Sequence, residues 1–546
     1  MELNSDLHCH PSLKGFSSDS QNCDMWTHYP PSDAISDLNK QIRKAIQAIA
    51  RGSQTNLKAC VDGKSRLLFV SIYPFERPFM QVCPQKPFRF LFKFLLPKRK
   101  HSTLGEAVLG IPKTEIQRRI DEAASDKGVD YFSEYLEELA YLTDPKNHQT
   151  DDPQYKDYRF HLARNYQEYH ELIQDPKNLV GIFSVEGAHT FGNYAFANPF
   201  DKPFEQLDPQ HQQIIESSFL ENIGTVKSNT GERPVPFFIT FSHHFNNLLA
   251  GHATSLSDRS PWIRFIKTFY TPGIRHLFDQ RPSLELGISS LGRKVLNALL
   301  SKENGQRILI DTKHMSPLSR QEFYQMLSQE YAYDPIPIIH SHGAVSGWST
   351  LEEVKSKPSG MELDRHSFFS RWGINLTNED IEITFKSDGL IGLCLHEGRM
   401  PGYRFKHQKK KLGDDKEAIK DLYLKLFWSN IFHVAKIQLQ TTSNIPNHSN
   451  WSGITIGSDY DGIVDPFDPF DTIADYPLLR QSMAEYVQTG KDILHIEDEA
   501  VMTPSEIEAI MNQKSLEEIL EMLFYGNAHN FLFSHFKEGD LKSAIT

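Results

Sequence analysis

Short apolar runs recur along the chain, and each ends in a polar or ionisable residue. Eight such runs are present, and their apolar stretches are nearly continuous: 3–10, 66–74, 178–186, 235–244, 307–314, 336–342, 389–397 and 453–459. Continuous apolar character is typical of strands that are buried on both faces, as in a parallel sheet covered by helices. The pattern therefore predicts eight parallel strands.

Amphipathic stretches lie between several of these runs and predict helices at 35–50, 319–331 and 416–437. In the first of them, apolar residues at helical spacing form one stripe. Eight strands with helical connections favour a (β/α)8 TIM barrel over two smaller α/β domains. We expect one barrel domain over residues 1–546, with long loop insertions near 75–175, 190–232, 250–285, 345–372 and 400–415.

Composition narrows the function classes. The chain has 546 residues, of which 39% are hydrophobic, so it can form a large core. Its net charge of −12 argues against a nucleic-acid partner, which requires a basic face. The five cysteines show no CxxC pairing, and no signal peptide or membrane-spanning apolar run is apparent. We expect a cytoplasmic protein without a membrane span.

The candidate catalytic and metal-binding residues lie where the predicted strands end. The carboxyl ends of barrel strands form the face that carries active sites. Histidines and carboxylates occur at these ends at the following positions: His8, His10, Glu186, His243, His244, His314, His340, His342 and Asp459. One histidine at a strand end is usually structural, but imidazoles and carboxylates converging from several strands favour a hydrolytic zinc site.

The spacing of the first pair supports this interpretation. Side chains alternate along a strand, so His8 and His10 should point to one side while Cys9 turns away into a packing role. The same alternation brings His340 and His342 to one side, with one of them a layer deeper. Neutral imidazole and carboxylate suit zinc, although other divalent metals remain open.

A carboxylate that bridges two cations would allow them to share a hydroxide. Two metal ions lower the pKa of that water and polarise the scissile carbonyl. Asp459 then has a natural role as the acid/base, which accepts the proton of the water and passes it to the leaving amine.

An ordered series of motifs resembles the membrane (renal) dipeptidase family of the amidohydrolase superfamily. The series covers most of the chain and includes DLHCHPS, GIFSVEGAHT, ITFSHHFNN, LIDTKHMS, PIIHSHGAVSG and ITIGSDYDGI. The resemblance implies these roles: a first metal bound by His8 and His10, a second by His314 and His342, Glu186 as the bridge, and His243 and Asp459 as catalytic and substrate-binding residues. For His244 and Asp461 we favour structural roles, as a supporting partner and a loop-fixing aspartate.

Two departures from that family affect the expected chemistry. His10 stands where the family usually has aspartate, which raises the net charge of the site by one. The family arginine that grips the substrate carboxylate is replaced by Ile374, so Arg371 is the expected substitute, although a surface role for Arg371 fits equally well. Lys313 adjoins His314 and should point to the opposite face, which leaves Glu186 as the better bridge.

The sequence therefore predicts a metal-dependent hydrolase that uses two Zn²⁺ ions to cleave an amide bond in a dipeptide or a similarly small substrate. A homodimer is compatible with the sequence. Alternatives are lactone or cyclic-amide hydrolysis, deamination at a single metal and, less favoured, a non-catalytic barrel that binds a partner.

Overall fold

The computed structural model describes residues 2–17, 24–37, 52–79, 106, 111–123, 128–194, 202–228, 233–255, 280–303, 305–355, 367–442, 449–488, 495–496, 499–500, 503–512 and 514–537. The helix predicted at 35–50 lies outside these residues, except for its beginning, which is part of a short 3₁₀ helix at Asp33–Asp37.

Eight parallel strands form the barrel, so the predicted (β/α)8 fold is confirmed. We number all strands of this sheet in chain order: β1 Asn4–Cys9, β2 Ser65–Ile72, β3 Arg159–Ala163, β4 Asn178–Glu186, β5 Phe238–Thr240, β6 Leu309–Asp311, β7 Ile339–Gly343, β8 Leu390–Leu393 and β9 Ile454–Ile456. The barrel order is β1-β2-β4-β5-β6-β7-β8-β9, and every pair of neighbours is parallel. That all of residues 1–546 belong to one domain stays a prediction.

Strand β3 lies outside this order and was not predicted from the sequence. It pairs with the first half of β4, from Asn178 to Ile182, and β5 pairs with the second half. β3 and β5 therefore pair one after the other with the same edge of β4. Three of the five residues of β3 are only half-buried, and it lacks the continuous apolar run that marks the other strands.

The barrel closes between its first and last strands. The His10 amide donates to the Tyr460 carbonyl at 3.0 Å, and the Asp459 amide donates to the His8 carbonyl at 2.9 Å. Below them, the buried Asp6 carboxylate accepts hydrogen bonds from the Ser458 amide at 2.9 Å and the Tyr476 hydroxyl at 2.8 Å. These contacts join segments more than 440 residues apart in the chain and bring the two strand ends to one rim.

Helices follow the strands along the chain. Those predicted at 319–331 and 416–437 are present as Pro317–Glu330 and Lys416–Thr442. Further helices of eight residues or more are Lys113–Ala123, Tyr131–Thr143, Pro209–Lys227, Ser290–Leu300, Asn378–Lys386, Tyr403–Leu412, Tyr476–Gln488, Pro504–Met511 and Asn527–His535. Shorter ones are Leu13–Phe16, Leu57–Asp62, Tyr166–Leu172, Leu351–Lys355 and Leu516–Glu521. No helix among the described residues combines the length and apolar character needed to cross a membrane.

The core explains why the strands are so apolar. Every residue of β1 and β2 is buried, and so is every residue of β4 after Asn178. Backbones also approach one another closely inside the barrel: a Cβ atom at Gly392 or Gly457 would overlap the Ser341 carbonyl oxygen. Glycine at these two positions therefore makes room for the β7 segment that carries His342.

Candidate metal centre

The predicted ligands converge at the carboxyl ends of the strands. His8 lies on β1 and His10 just beyond it, Glu186 is the last residue of β4, and His342 lies on β7. His314 and Asp459 each follow their strand, β6 or β9, by three residues. All of these side chains except that of Asp459 are at least 96% buried.

Four of these side chains form a first cluster. Glu186 Oε2 lies 3.3 Å from His10 Nε2, and Glu186 Oε1 lies 3.4 Å from His8 Nε2. Asp459 Oδ1 lies 3.5 Å from His10 Nε2 and 3.8 Å from His8 Nε2. The four ligand atoms all lie within 4.8 Å of one another.

A second cluster shares Glu186 with the first. His314 Nε2 and His342 Nε2 are 3.3 Å apart, and each lies 3.8 Å from Glu186 Oε1. The Glu186 carboxylate therefore lies between two pairs of histidines.

The donor atoms fit divalent metal ions. Ligands bound at about 2.0–2.1 Å to a tetrahedral zinc ion lie about 3.3 Å from one another. The observed separations of 3.3 to 3.8 Å are close to this value. His8 Nε2, His10 Nε2 and Asp459 Oδ1 are also buried atoms to which no described residue offers a hydrogen bond. Buried polar atoms normally have a hydrogen-bond partner. A bound metal ion would serve as the partner of these three atoms.

The electrostatics of the centre also suit metal binding. Burial alone would raise the Glu186 pKa, but His243 and His8 hold it well below its usual range, so the carboxylate is ionised. Burial and the neighbouring imidazoles lower the pKa values of His314 and His342, which are therefore neutral. For His10, Asp459 and Glu186 outweigh burial and raise the pKa to about 10, so a metal ion would have to displace a proton there.

Two of the clustered residues adopt unusual backbone conformations. His314 has a φ of +67° and Asp459 a φ of +61°. Non-glycine residues seldom adopt this left-handed region, and when they do they often lie at functional sites.

His243 lies beside the clusters, and its two ring nitrogens face different carboxylates. Nε2 lies 3.4 Å from Glu186 Oε1, and Nδ1 lies 2.5 Å from Glu76 Oε2. Although burial opposes it, these two carboxylates raise the His243 pKa to about 10. The Glu76 carboxylate is itself held by the Tyr73 hydroxyl at 3.0 Å and the Phe245 amide at 3.2 Å.

Glu76 was not predicted from the sequence as a residue of this site. It follows β2 by four residues, and the only available signal was a carboxylate shortly after a predicted strand. The fold of the β2 loop brings it to His243, which is 167 residues away in the chain.

His244 completes a third group of close imidazoles, with His243 and His314. Its Nδ1 lies 2.6 Å from the Ser255 hydroxyl. Burial and the charge of His243 lower the His244 pKa well below its usual range, so this ring is neutral.

Other residues hold the ligands in position. Ser341 Oγ donates to Asp311 Oδ2 at 2.6 Å and lies 2.8 Å from His342 Nδ1, so it joins two neighbouring strands beneath that ligand. Asp461 accepts hydrogen bonds from the amides of Gln54 and Thr55 and forms an ion pair with Lys14 at 3.1 Å. It ties the segment after Asp459 to the segment before β2.

The remaining predicted residues lie in different surroundings. His340 does not join the metal-type clusters of the described residues, and its Nδ1 lies 3.3 Å from the Thr312 hydroxyl. The Arg371 guanidinium lies over the Trp348 ring, 4.7 Å from its centroid. Cys9 is fully buried, and burial raises the pKa of its thiol well above its ordinary value, which suits a packing residue.

Neither the models of protein families nor the curated proteins include a match to this chain. Among solved structures, it is similar to a metallopeptidase named dipeptidase AC, with 11% identity, a TM-score of 0.44, and coverage of 98% of this chain and 99% of the other. The same values hold for a metallopeptidase from Rhodobacter sphaeroides, solved with a phosphinate mimic of the dipeptide L-Ala-D-Ala.

A third similar structure is described as the "probable dipeptidase PvdM" of Pseudomonas aeruginosa, with 13% identity, a TM-score of 0.41 and coverage of 88% of each chain.

Proposed function

We propose that this protein is a metal-dependent hydrolase that uses two metal ions to cleave an amide bond in a dipeptide or a similarly small substrate. The observation that carries the proposal is the position of Glu186, whose carboxylate is shared by two clusters of buried histidines. A carboxylate placed between two such clusters is suited to bridge two cations.

The residues fall into two ligand sets. His8 and His10 would hold one ion, His314 and His342 would hold the other, and Glu186 would contact both. Donor sets of imidazole and carboxylate favour zinc. The bound metals would supply an activated water and a Lewis acid for the scissile carbonyl.

Asp459 is positioned to move protons. Its carboxylate lies against the first ligand set, and its side chain is 13% exposed, more than the 4% of Glu186. It is therefore the more exposed of the two clustered carboxylates. It would accept a proton from the attacking water and deliver it to the leaving amine.

His243 is positioned to donate a hydrogen bond. Glu76 fixes its Nδ1, and this leaves Nε2 directed to the metal-ligand side, 3.4 Å from Glu186 Oε1. An imidazole that is held protonated by two carboxylates can stabilise negative charge on the oxygen of the substrate carbonyl.

Metal analysis and a substrate screen test the proposal. Protein purified without chelator should contain about two divalent ions per chain, and zinc-loaded protein should release two amino acids from members of a library of L-L and L-D dipeptides. Release of ammonia instead would indicate deamination. Less than one ion per chain would contradict the proposed metal centre.

A variant at Asp459 tests the proton-transfer step. Asp459→Asn should keep the metal content and lose most of the turnover, by about 100-fold or more, because general acid/base catalysis contributes factors of this size. Asp334→Asn, which alters a half-exposed aspartate paired with Lys302, is the matched control and should keep full turnover. Equal turnover in the Asp459 variant and the wild type would rule out this role.

A further inference from the structure

The helix Tyr131–Thr143 lies in the insertion predicted near 75–175, and one of its faces carries buried polar side chains. Tyr131, Glu134 and Glu138 are spaced by three and four residues, so they share this face. All three are buried. A buried carboxyl group is costly unless it has partners, so the partners of these side chains indicate what the helix holds in place.

The first two residues of this face hold the loop after β2. The Tyr131 hydroxyl accepts a hydrogen bond from the Arg77 amide at 2.9 Å, and Glu134 forms an ion pair with the Arg77 guanidinium. That guanidinium also lies 5.7 Å from the centre of the Tyr131 ring. Arg77 directly follows Glu76, which is bonded to His243 Nδ1. The helix therefore fixes the backbone on the C-terminal side of Glu76.

Glu138 holds the same loop on the N-terminal side of Glu76. Its Oε2 accepts a hydrogen bond from the Tyr73 amide at 3.1 Å. The Tyr73 hydroxyl donates to Glu76 Oε2 at 3.0 Å, and the Tyr73 and His243 rings meet edge to face, with 4.8 Å between their centroids. A chain of contacts therefore runs from Glu138 through Tyr73 and Glu76 to His243.

The other oxygen of Glu138 contacts the segment that follows β1. The hydroxyl of Ser12, which is fully buried, donates to Glu138 Oε1 at 2.9 Å. Ser12 follows the proposed metal ligand His10 by two residues, and the His10 carbonyl accepts from the Leu13 amide at 3.3 Å. One carboxyl group therefore links the ends of β1 and β2, which carry a proposed metal ligand and the support of His243.

The partners of Glu138 are unusual for a buried carboxyl group. Both of its hydrogen bonds come from neutral donors, and among the described residues no ion pair joins it to a cation. Buried charges are normally paired, because burial without an opposite charge costs free energy. Glu138 instead supplies two acceptor atoms at a fixed separation on a helix, which is what positioning two loops requires.

We propose that Glu138 is a positioning residue that sets the place of His243 relative to the metal-ligand pair His8 and His10. The inference rests on the proposed function and gives the insertion a role in it, as the rigid support between the loops after β1 and β2. A displacement of about 1 Å between reacting groups can lower a rate by about 100-fold, so this support acts on kcat.

Substitutions on the two sides of this helix test the proposal, on zinc-loaded protein and a dipeptide that the substrate screen identifies. Glu138→Met removes both acceptors and should lower kcat by about 10- to 100-fold with little change in KM. Glu138→Gln can accept from the Tyr73 amide and donate to the Ser12 hydroxyl, so it should restore most of kcat. Glu137→Met, on the exposed side, is the control and should match the wild type.

A double-mutant cycle identifies the path of the effect. Tyr73→Phe removes the hydroxyl that holds Glu76 and leaves the amide that donates to Glu138. If Glu138 acts through Tyr73, the fall in kcat caused by Glu138→Met should be smaller in the Tyr73→Phe background, by about threefold or more. Losses that simply multiply would show that the two residues act independently and would overturn the proposed path.

Two outcomes would overturn the positioning role even if dipeptides are hydrolysed. One is an unchanged kcat in Glu138→Met, and the other is a fall in Glu138→Gln as large as that in Glu138→Met. Should Glu138→Met not fold, Ser12→Ala removes one of the two contacts and should lower kcat without changing KM. An unchanged kcat in Ser12→Ala would then count against the proposal.

A spectroscopic readout separates this proposal from the proposed function. If no dipeptide in the library is hydrolysed, the proposed function fails, and the visible spectrum of the Co²⁺-loaded protein decides on the positioning role. This spectrum reports the geometry of the metal ligands. Glu138→Met should change it, whereas Glu138→Gln and Glu137→Met should not. Identical spectra of Glu138→Met and the wild type would refute the positioning role.

Discussion

The imidazole of His243 is held at both ring nitrogens, by Glu76 on one side and by the shared ligand Glu186 on the other. Glu76 in turn has its own donors, the Tyr73 hydroxyl and the Phe245 amide. At the scale of single residues, the proposed chemistry therefore depends on groups that do not touch the metal. Such supporting carboxylates fix the tautomer and orientation of an imidazole.

Replacing Glu76 tests this support. Glu76→Gln should lower kcat by about 10- to 100-fold with little change in KM, because His243 loses its charged acceptor while the substrate contacts remain. The pH profile of kcat should also shift, since one of the two carboxylates that raise the His243 pKa is gone and Glu186 alone remains. An unchanged pH profile with reduced thermal stability would indicate that Glu76 is only structural.

At the scale of secondary-structure elements, buried ion pairs join the helices that surround the site. Arg320, on the helix Pro317–Glu330, contacts Asp380 at 3.0 Å, and both side chains are fully buried. Arg320 also donates to the carbonyls of Gly373 and Asn375. Asn375 Nδ2 in turn donates to the Arg399 carbonyl, so this helix also helps to hold the segment after β8.

Removing Arg320 should be costly for stability. Arg320→Met leaves Asp380 buried without its cation, and we expect a loss of about 3–5 kcal/mol in the free energy of unfolding. Denaturant titration measures this loss. The control is Arg118→Met, which removes an exposed pair with Glu115 and should change stability by less than about 1 kcal/mol. Equal losses of unfolding free energy in Arg320→Met and Arg118→Met would contradict the expected cost of breaking the buried pair.

A pH dependence is expected where Glu397, after β8, meets the helix Tyr403–Leu412. Burial raises the Glu397 pKa to about 7, and Lys409 offsets this only in part. The native protein therefore holds this proton more tightly than the unfolded chain, whose pKa is near 4.5. The stabilisation is present below the unfolded pKa and is lost as pH rises to about 7.

Comparison with Glu397→Gln isolates this contribution. The difference in unfolding free energy, variant minus wild type, should increase by about 2 kcal/mol between about pH 4.5 and about pH 8. Glu382→Gln, in an exposed pair with Lys386, should show a difference that stays nearly constant with pH. A constant difference for Glu397→Gln as well would contradict the raised pKa.

At the scale of the whole molecule, the metal centre coincides with the closure of the barrel. His8 lies on the first strand and Asp459 follows the last, and their backbones are hydrogen-bonded to each other. The other proposed ligands come from β4, β7 and the segment after β6. Bound metal ions would therefore connect distant parts of the chain, and metal binding should be linked to the stability of the fold.

Metal removal tests this linkage. A chelator should lower Tm, and zinc at 100 times its Kd should add about 2.7 kcal/mol of stability, because the ligand atoms are assembled only in the native state. Glu186→Gln weakens both proposed ligand sets and should reduce the zinc-dependent shift. A Tm that does not respond to chelator or zinc would contradict a metal centre at the closure.

The local pattern of the chain was enough to predict the barrel. Continuous apolar runs identified its eight strands, because strands buried on both faces need apolar residues at nearly every position. β3 escaped prediction because its half-buried residues break that rule. The clustering of His8, His10, Glu186 and Asp459 could be predicted as well, since polar residues at the ends of parallel barrel strands must meet at one face.

Tertiary structure alone decided which side chains face one another at the carboxyl ends of the barrel strands. Alternation along a strand fixes the side on which a residue lies, but not what a loop brings opposite to it. Glu76 reaches His243, 167 residues away in the chain, through the path of the β2 loop. Their charges interact because the fold buries them together away from water, which no spacing along the sequence encodes.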